Sequence, residues 1–383
     1  MGASVPLRRQ PSLSGERFVV EYRLAGQASD APAKARDICL EQTVEFPEEL
    51  VPPGAIRDQI IGRVESLEPA GPAQVARISY AVETAGGELC QLLNVIFGNT
   101  SIKPGVRVER LELPPSLLAA FRGPRFGCEG LRSRAGAAGR PLLCSALKPM
   151  GLTAADLADL AYQFALGGLD MIKDDHGLAD QSFSPFEERI TLCAAAVARA
   201  NKETGGHCDY YPNVTGEPEE MKRRAQFAKA AGAGGLVVSP GLAGLSAMKA
   251  LADDDSLALP IMSHPAFLGS FVAGDDSGIS HAALFGQIMR LAGADSTVFP
   301  NFGGRFSFSR PQCSSIASAA AAPMGSLRPI FPAPGGGMSL DRIADMRSVY
   351  GADLILLIGG GLFRHGPNLT ENCLHFRRLA EAF

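Results

Sequence analysis

"LLCSALKPMGLTAADLADLAYQFALGGLDMIKDD", residues 142–175, reads as strand, helix, strand. The run 142–147 is apolar without alternation, as in a strand buried on both faces. "TAADLADLAYQFALGG" then places apolar residues at helical spacing and closes on Gly-Gly, and "LDMIKDD" opens a second buried run. The same alternation continues through "HCDYYPNVT", "GLVVSPG", "LPIMSHP", "DSTVFPN", "RPIFPAPGGG" and "DLILLIGGG", each followed by a helical segment. Eight such units over about 240 residues match the size of a closed (β/α)8 barrel. A doubly wound open sheet alternates similarly, but eight uninterrupted units without a first-turn dinucleotide fingerprint favour closure. The fold class expected is α/β, with a C-terminal (β/α)8 TIM barrel over residues 141–383 and a smaller N-terminal α+β domain over 1–140.

In the N-terminal part, "RFVVEYRLAG" (17–26), "AQVARISYAVE" (73–83) and "ELCQLLNVIFG" (88–98) are expected as strands of an antiparallel sheet, and "APAKARDICLEQTVEFP" (31–47) as a helix leading to an extended segment. The Pro- and Gly-rich stretch 113–141, with room for a short helix, connects the domains.

Composition narrows the class. Of 383 residues 46% are hydrophobic and 20% charged, and 36 basic against 40 acidic residues leave a net charge of −4. Without a basic block, nucleic acid is not an expected partner. The eight cysteines are scattered, with no metal-ligand spacing and no small-domain disulfide framework, so they are read as thiols in the cytoplasm. No apolar leader and no span of membrane length is visible.

Barrel chemistry gathers where strands end. Lys148 closes the first barrel strand, Lys173 to His176 the second, Asn213 the third and His264 the fifth. Side chains two apart share a strand face, so Lys173 and Asp175 point one way and Asp174 the other. A lone Lys-x-Asp is more often a structural ion pair; the convergence of several strand ends favours a site. A desolvated lysine has a lowered pKa, and its neutral amine can take up CO2 as a carbamate, an oxygen donor for a hard metal. "PAPGGGMS" (332–339) and "LIGGGLFRHG" (357–366) close strands seven and eight, where this barrel usually cradles phosphate.

These motifs resemble those of the RuBisCO large-chain family, and more closely its RuBisCO-like, type IV, non-carboxylating members. "GGLDMIKDD" is similar to the family's metal-site motif and "GRPLLCSALKPMGL" to the segment of its first catalytic lysine. "NVIFGN" is similar to an N-terminal segment that reaches a neighbouring subunit, and "PGGGMS" and "LIGGGLFRHG" to the phosphate loops. The resemblance implies a ferredoxin-like N-terminal domain, a carbamylated Lys173 and a Mg2+ or other divalent ion on Lys173, Asp175 and the adjoining His176. It further implies Lys148 as acid/base, His264 in the active site, and Asn99 reaching the site of a partner in a homodimer or larger assembly of dimers. Gly337, Gly359 and Gly360 would hold one phosphate, with Arg305 and Glu41 also on the substrate.

Departures from the family shape the functional expectation. His176 stands where the family has a third acidic ligand, so the metal has fewer protein ligands, or is a softer ion such as manganese, or is absent; His176 is alternatively a base. Met150 lies near the place of a second lysine, and Arg305 near that of the flexible-loop lysine, which argues against carboxylation. Pro265 replaces an arginine, the strand-six histidine is absent from "DSTVFPN", and Gly335 replaces a serine, so one phosphate is expected on the substrate. The chain is thus expected to be an enzyme of enediolate chemistry on a monophosphorylated sugar or sugar acid, a decarboxylase or hydrolase of 3-oxo-isoapionate 4-phosphate first. The alternatives are an isomerase or enolase of a methylthio-ketose phosphate, and a non-catalytic phosphate-binding protein.

Overall fold

The structure is a computed structural model that describes residues 11–306 and 308–382. In chain order its strands are β1 (Arg17–Leu24), β2 (Arg63–Ala70), β3 (Ala73–Ala81), β4 (Val106–Glu112), β5 (Leu142–Leu147), β6 (Met171–Asp174), β7 (Asp209–Tyr211), β8 (Leu236–Val238), β9 (Ile261–Ser263), β10 (Gly278–Ile279), β11 (Ser296–Pro300), β12 (Phe331–Gly335) and β13 (Ile355–Leu357). Two compact units hold them: residues 11–121, 269–287 and 323–327 form one, and residues 122–268, 288–322 and 328–382 the other.

The first unit is a five-stranded sheet in the order β10-β4-β1-β3-β2. β1 runs antiparallel to β3 and β4, with Val20 opposite Ile78 and Leu111. Burial alternates along β1, so Phe18, Val20, Tyr22 and Leu24 share the inner face. The segment 88–98, expected as a strand, is instead a helix, Leu89–Phe97. Its buried residues Leu89, Leu92, Val95 and Ile96 recur at helical spacing, and the Tyr22 hydroxyl donates to the Ile96 carbonyl at 2.6 Å, tying this helix to the sheet. The helix Ala31–Glu41 ends before the extended segment expected after it, in turns over 42–44.

The second unit is the barrel. β5 pairs with β6 and β13, β6 with β7, β8 with β9, β9 with β11 and β11 with β12, all in parallel. An Asn213–Val237 bridge joins β7 to β8. A Cβ on Gly335 would stand 3.1 Å from Leu357, so β12 and β13 lie side by side. The ring therefore runs β5-β6-β7-β8-β9-β11-β12-β13, the eight strands read from the sequence. Every one of them sends a side chain into a common core: Cys144, Met171, Tyr211, Val237, Met262, Val298, Ala333 and Ile355. Burial of each large apolar side chain contributes about 1.5–3 kcal/mol, which fixes strand register against slippage.

Carboxylates close the barrel's lower end. Asp295 accepts backbone N–H bonds from Phe126, Gly127 and Ile261 at 2.6, 2.8 and 2.9 Å. Asp170 takes two bonds of 2.7 Å from Arg140. The upper end is thereby left to chemistry. Among the described residues no helix is long and apolar enough to cross a membrane.

Candidate active site

β5 and β6 carry the first two lysines into the barrel mouth. Cys144 and Met171 lie in the barrel core, so by alternation Lys148, Lys173 and Asp175 continue on the inward face. Asp174 faces outward, fully buried. It takes 3.2 Å from Arg189 Nε, 2.6 Å from the Tyr210 hydroxyl and 3.1 Å from the Asn213 N–H. This network pins the end of β6, and Asn213 Nδ2 donates to the carbonyls of His176 and Leu178 at 3.1 and 2.9 Å, fixing the loop beyond.

Lys148 Nζ stands 2.9 Å from Asp175 Oδ1, and His176 Nδ1 stands 3.4 Å from the same oxygen. Burial pushes the Asp175 carboxyl upward, but the bonds to His176 and Lys148 and the charge of Lys173 outweigh it, leaving the group well below the usual carboxylate range. Lys173 is 2% exposed and donates to the Asp174 carbonyl at 2.8 Å. Desolvation draws its pKa down, against the pull of Asp175. Such an amine is more readily neutral, as carbamate formation requires.

His264 stacks on His176 with ring centres 4.4 Å apart and planes at 12°. Burial, then the charges of Lys173 and His176, lower its pKa well below the ordinary value, so the ring is neutral. Ala266 N–H donates to His264 Nδ1 at 3.2 Å, which assigns the ring proton to Nε2.

A glycine at 177 brings the loops after β5 and β6 together: a Cβ there would meet the Met150 methyl at 2.5 Å, beside Asp175. On the other side of the mouth three loops interlock. Arg305 N–H donates to the Gly336 carbonyl at 3.0 Å, a Cβ on Gly304 would lie 2.2 Å from that same oxygen, and one on Gly361 would lie 2.5 Å from Met338 O. Gly337 holds φ +87°, and the Cβ positions of Gly359 and Gly360 face open space. The backbone of these loops is thus free to approach a ligand.

Lys148, Lys173, Asp175, His176 and His264 come together. Gly337 and Arg305 lie against each other on neighbouring loops. Asn99 and Glu41 lie in the first unit, where Asn99 Nδ2 donates to Glu41 Oε1 at 3.0 Å. Sequence reasoning missed Arg189, the partner of Asp174, although a carboxylate facing outward from a buried strand needs a cation. It also missed that Met150 folds over Gly177, which no local pattern signals.

As for a divalent ion, no group of three His, Cys, Asp or Glu side chains among the described residues is arranged to hold one. Asp175 and a carbamate on Lys173, were one formed, would give two oxygen donors. That pair fits Mg2+, which is commonly held by one or two carboxylates with waters and substrate oxygens completing the shell. His176 spends Nδ1 on Asp175 and is not needed as a third ligand.

The catalytic-domain model of the ribulose bisphosphate carboxylase large chain matches residues 127–305. "Ribulose bisphosphate carboxylase-like protein 1" of Rhodopseudomonas palustris is 41% identical over 94% of this chain and 96% of its own. "5-Methylthioribulose-1-phosphate isomerase" of Rhodospirillum rubrum is 41% identical over 94% of this chain and 95% of its own. A crystal structure of a Rubisco-like protein from Rhodopseudomonas palustris superposes with a TM-score of 0.87 at 40% identity, covering 96% of this chain and 98% of that one. The chain belongs to the RuBisCO large-chain family, among its RuBisCO-like members.

Proposed function

We propose that the protein is an enzyme that moves a proton at the carbon next to the carbonyl of a methylthio-ketose monophosphate, as an isomerase or enolase, and does not fix CO2. The observation that carries this reading is the cluster of two amines, one carboxylate and two stacked imidazoles at the converging ends of β5, β6 and β9. A chain retained only to bind phosphate has no need of Lys148, Lys173 and Asp175 together. The expectation of a 3-oxo sugar-acid phosphate gives way here to its alternative, which the name of the Rhodospirillum rubrum relative supports.

The residues divide the work by their protonation. With Nδ1 turned to Asp175, His176 presents Nε2 as the base, and Asp175 stabilises the imidazolium that forms. Lys148 and the Nε2–H of His264 donate hydrogen bonds to the oxygens of the enediolate as charge develops. A divalent ion held by Asp175 and a carbamate on Lys173 would add Lewis-acid polarisation of the carbonyl. Backbone N–H groups at Gly337, Gly359 and Gly360 receive the phosphate, with Arg305 beside them. Asn99 and Glu41 complete the site of a second copy, making the working unit at least a dimer.

The test is product analysis by 1H and 31P NMR with 5-methylthioribulose 1-phosphate and 3-oxo-isoapionate 4-phosphate. Isomerisation of the first without CO2 release from the second is expected. CO2 release from the second alone would overturn the reading.

A further inference from the structure

The barrel mouth is polarised. On one side stand Arg305 after β11, Gly337 after β12, and Gly359 and Gly360 after β13. The loops after β8 and β9, residues 239–244 and 264–268, hold no Lys, Arg, Asp or Glu. They expose Leu242 to 59% and Phe267 to 73%. In the ring of eight strands β8 stands four places from β13. Leu242 therefore lies on the rim across from Gly359 and Gly360, and Phe267 on the neighbouring loop.

This rim is held in place. Phe267 keeps φ +67°, a left-handed conformation that bulky residues adopt rarely and that persists where surrounding structure imposes it. A Cβ on Gly241 would come within 2.5 Å of the Ala266 carbonyl and 3.1 Å of Leu268, so the two loops touch and only glycine fits between them. Two large apolar side chains are thus presented next to His264, with no charge on their loops.

We propose that Leu242 and Phe267 seat the apolar tail of a substrate whose phosphate lies on the glycine loops opposite. The chemistry that matches is a ketose phosphate ending in an alkyl or thioether group. A sugar acid or a bisphosphate would bring a charge onto two loops that hold no Lys or Arg of their own to pair with it. A thioether also packs well against an aromatic ring. The inference rests on the reading of this mouth as a ketose-monophosphate site, and it names the residues that select the tail.

Binding of ethyl, pentyl, hexyl, heptyl and octyl phosphate to the full chain by calorimetry tests it. Wild type is expected to gain roughly fourfold in affinity per methylene once the tail reaches the rim. In the Leu242→Ser/Phe267→Ser variant the gain with length is expected to vanish, while ethyl phosphate affinity and the mass in size-exclusion chromatography stay unchanged. An absent length dependence in wild type, or an equal one in the variant, overturns the proposal. A variant that changes mass and keeps the length dependence also overturns it, assigning the rim to a subunit contact. These probes carry no carbonyl, so the outcome is independent of whether the proposed proton transfer occurs.

Discussion

The proposed carbamate and the proposed metal site both depend on Lys173. Buried at the end of β6 with its pKa drawn down, it serves packing poorly as a lysine and would serve chemistry well as a carbamate. Lys173→Ala is expected to lower kcat at least ~100-fold, as loss of a charge-stabilising group does. Its melting temperature should stay near wild type, since the substitution removes an amine that burial desolvates. Turnover near the wild-type rate in this variant would take carbamate and metal out of the mechanism. Lys173 and Asp175 were legible in the sequence because strand alternation alone puts them on one face. Asp174 was legible only as pointing away; Arg189, on the helix Phe186–Thr204, is its partner through packing that no local spacing displays.

At the scale of elements, the buried Asp174–Arg189 pair holds the strand end that carries the site. Arg189→Met leaves a carboxylate without its cation at a position closed to water, an error that costs about 3–5 kcal/mol in buried pairs. Urea denaturation should show a lowered midpoint, with partial recovery in Arg189→Met/Asp174→Asn; an unshifted midpoint would remove the pair from the account of stability. All eight barrel strands could be read in advance, because parallel strands buried on both faces appear as apolar runs between helical repeats, interrupted in β7 by Asp209 and in β11 by Ser296 and Thr297. The first unit was harder. β2 is largely exposed and shows no clean alternation, and "LCQLLNVIF" is short and apolar enough to resemble a strand until Leu89, Leu92 and Val95 are seen on one helical face.

Asp295 governs a pH response of the molecule as a whole. Burial raises its pKa to about 6 despite three N–H bonds. The folded state therefore binds this proton more tightly than the unfolded chain. The resulting stabilisation is complete below the unfolded value of 3.8 and lost as pH rises through about 6. Relative to Asp295→Asn, wild type should gain up to about 3 kcal/mol between pH 6.5 and 4. A constant difference across that range in parallel denaturation series would contradict the assignment. Assembly gives a second check. If Asn99 completes a neighbour's site, mixing inactive Asn99→Ala and Lys173→Ala chains should restore roughly a quarter of wild-type activity through mixed dimers with one intact site. No recovery after subunit exchange would confine each site to its own chain.

Movement of a proton beside a ketose carbonyl by the Asp175–His176 pair is the step proposed for this site. It is tested most directly by 1H NMR of deuterium entering 5-methylthioribulose 1-phosphate in D2O, with Mg2+ and bicarbonate present. Wild type should incorporate deuterium at the carbon next to the carbonyl, and His176→Asn should do so at least ~100-fold more slowly while remaining folded. No incorporation by wild type, or incorporation by His176→Asn at the wild-type rate, would contradict it.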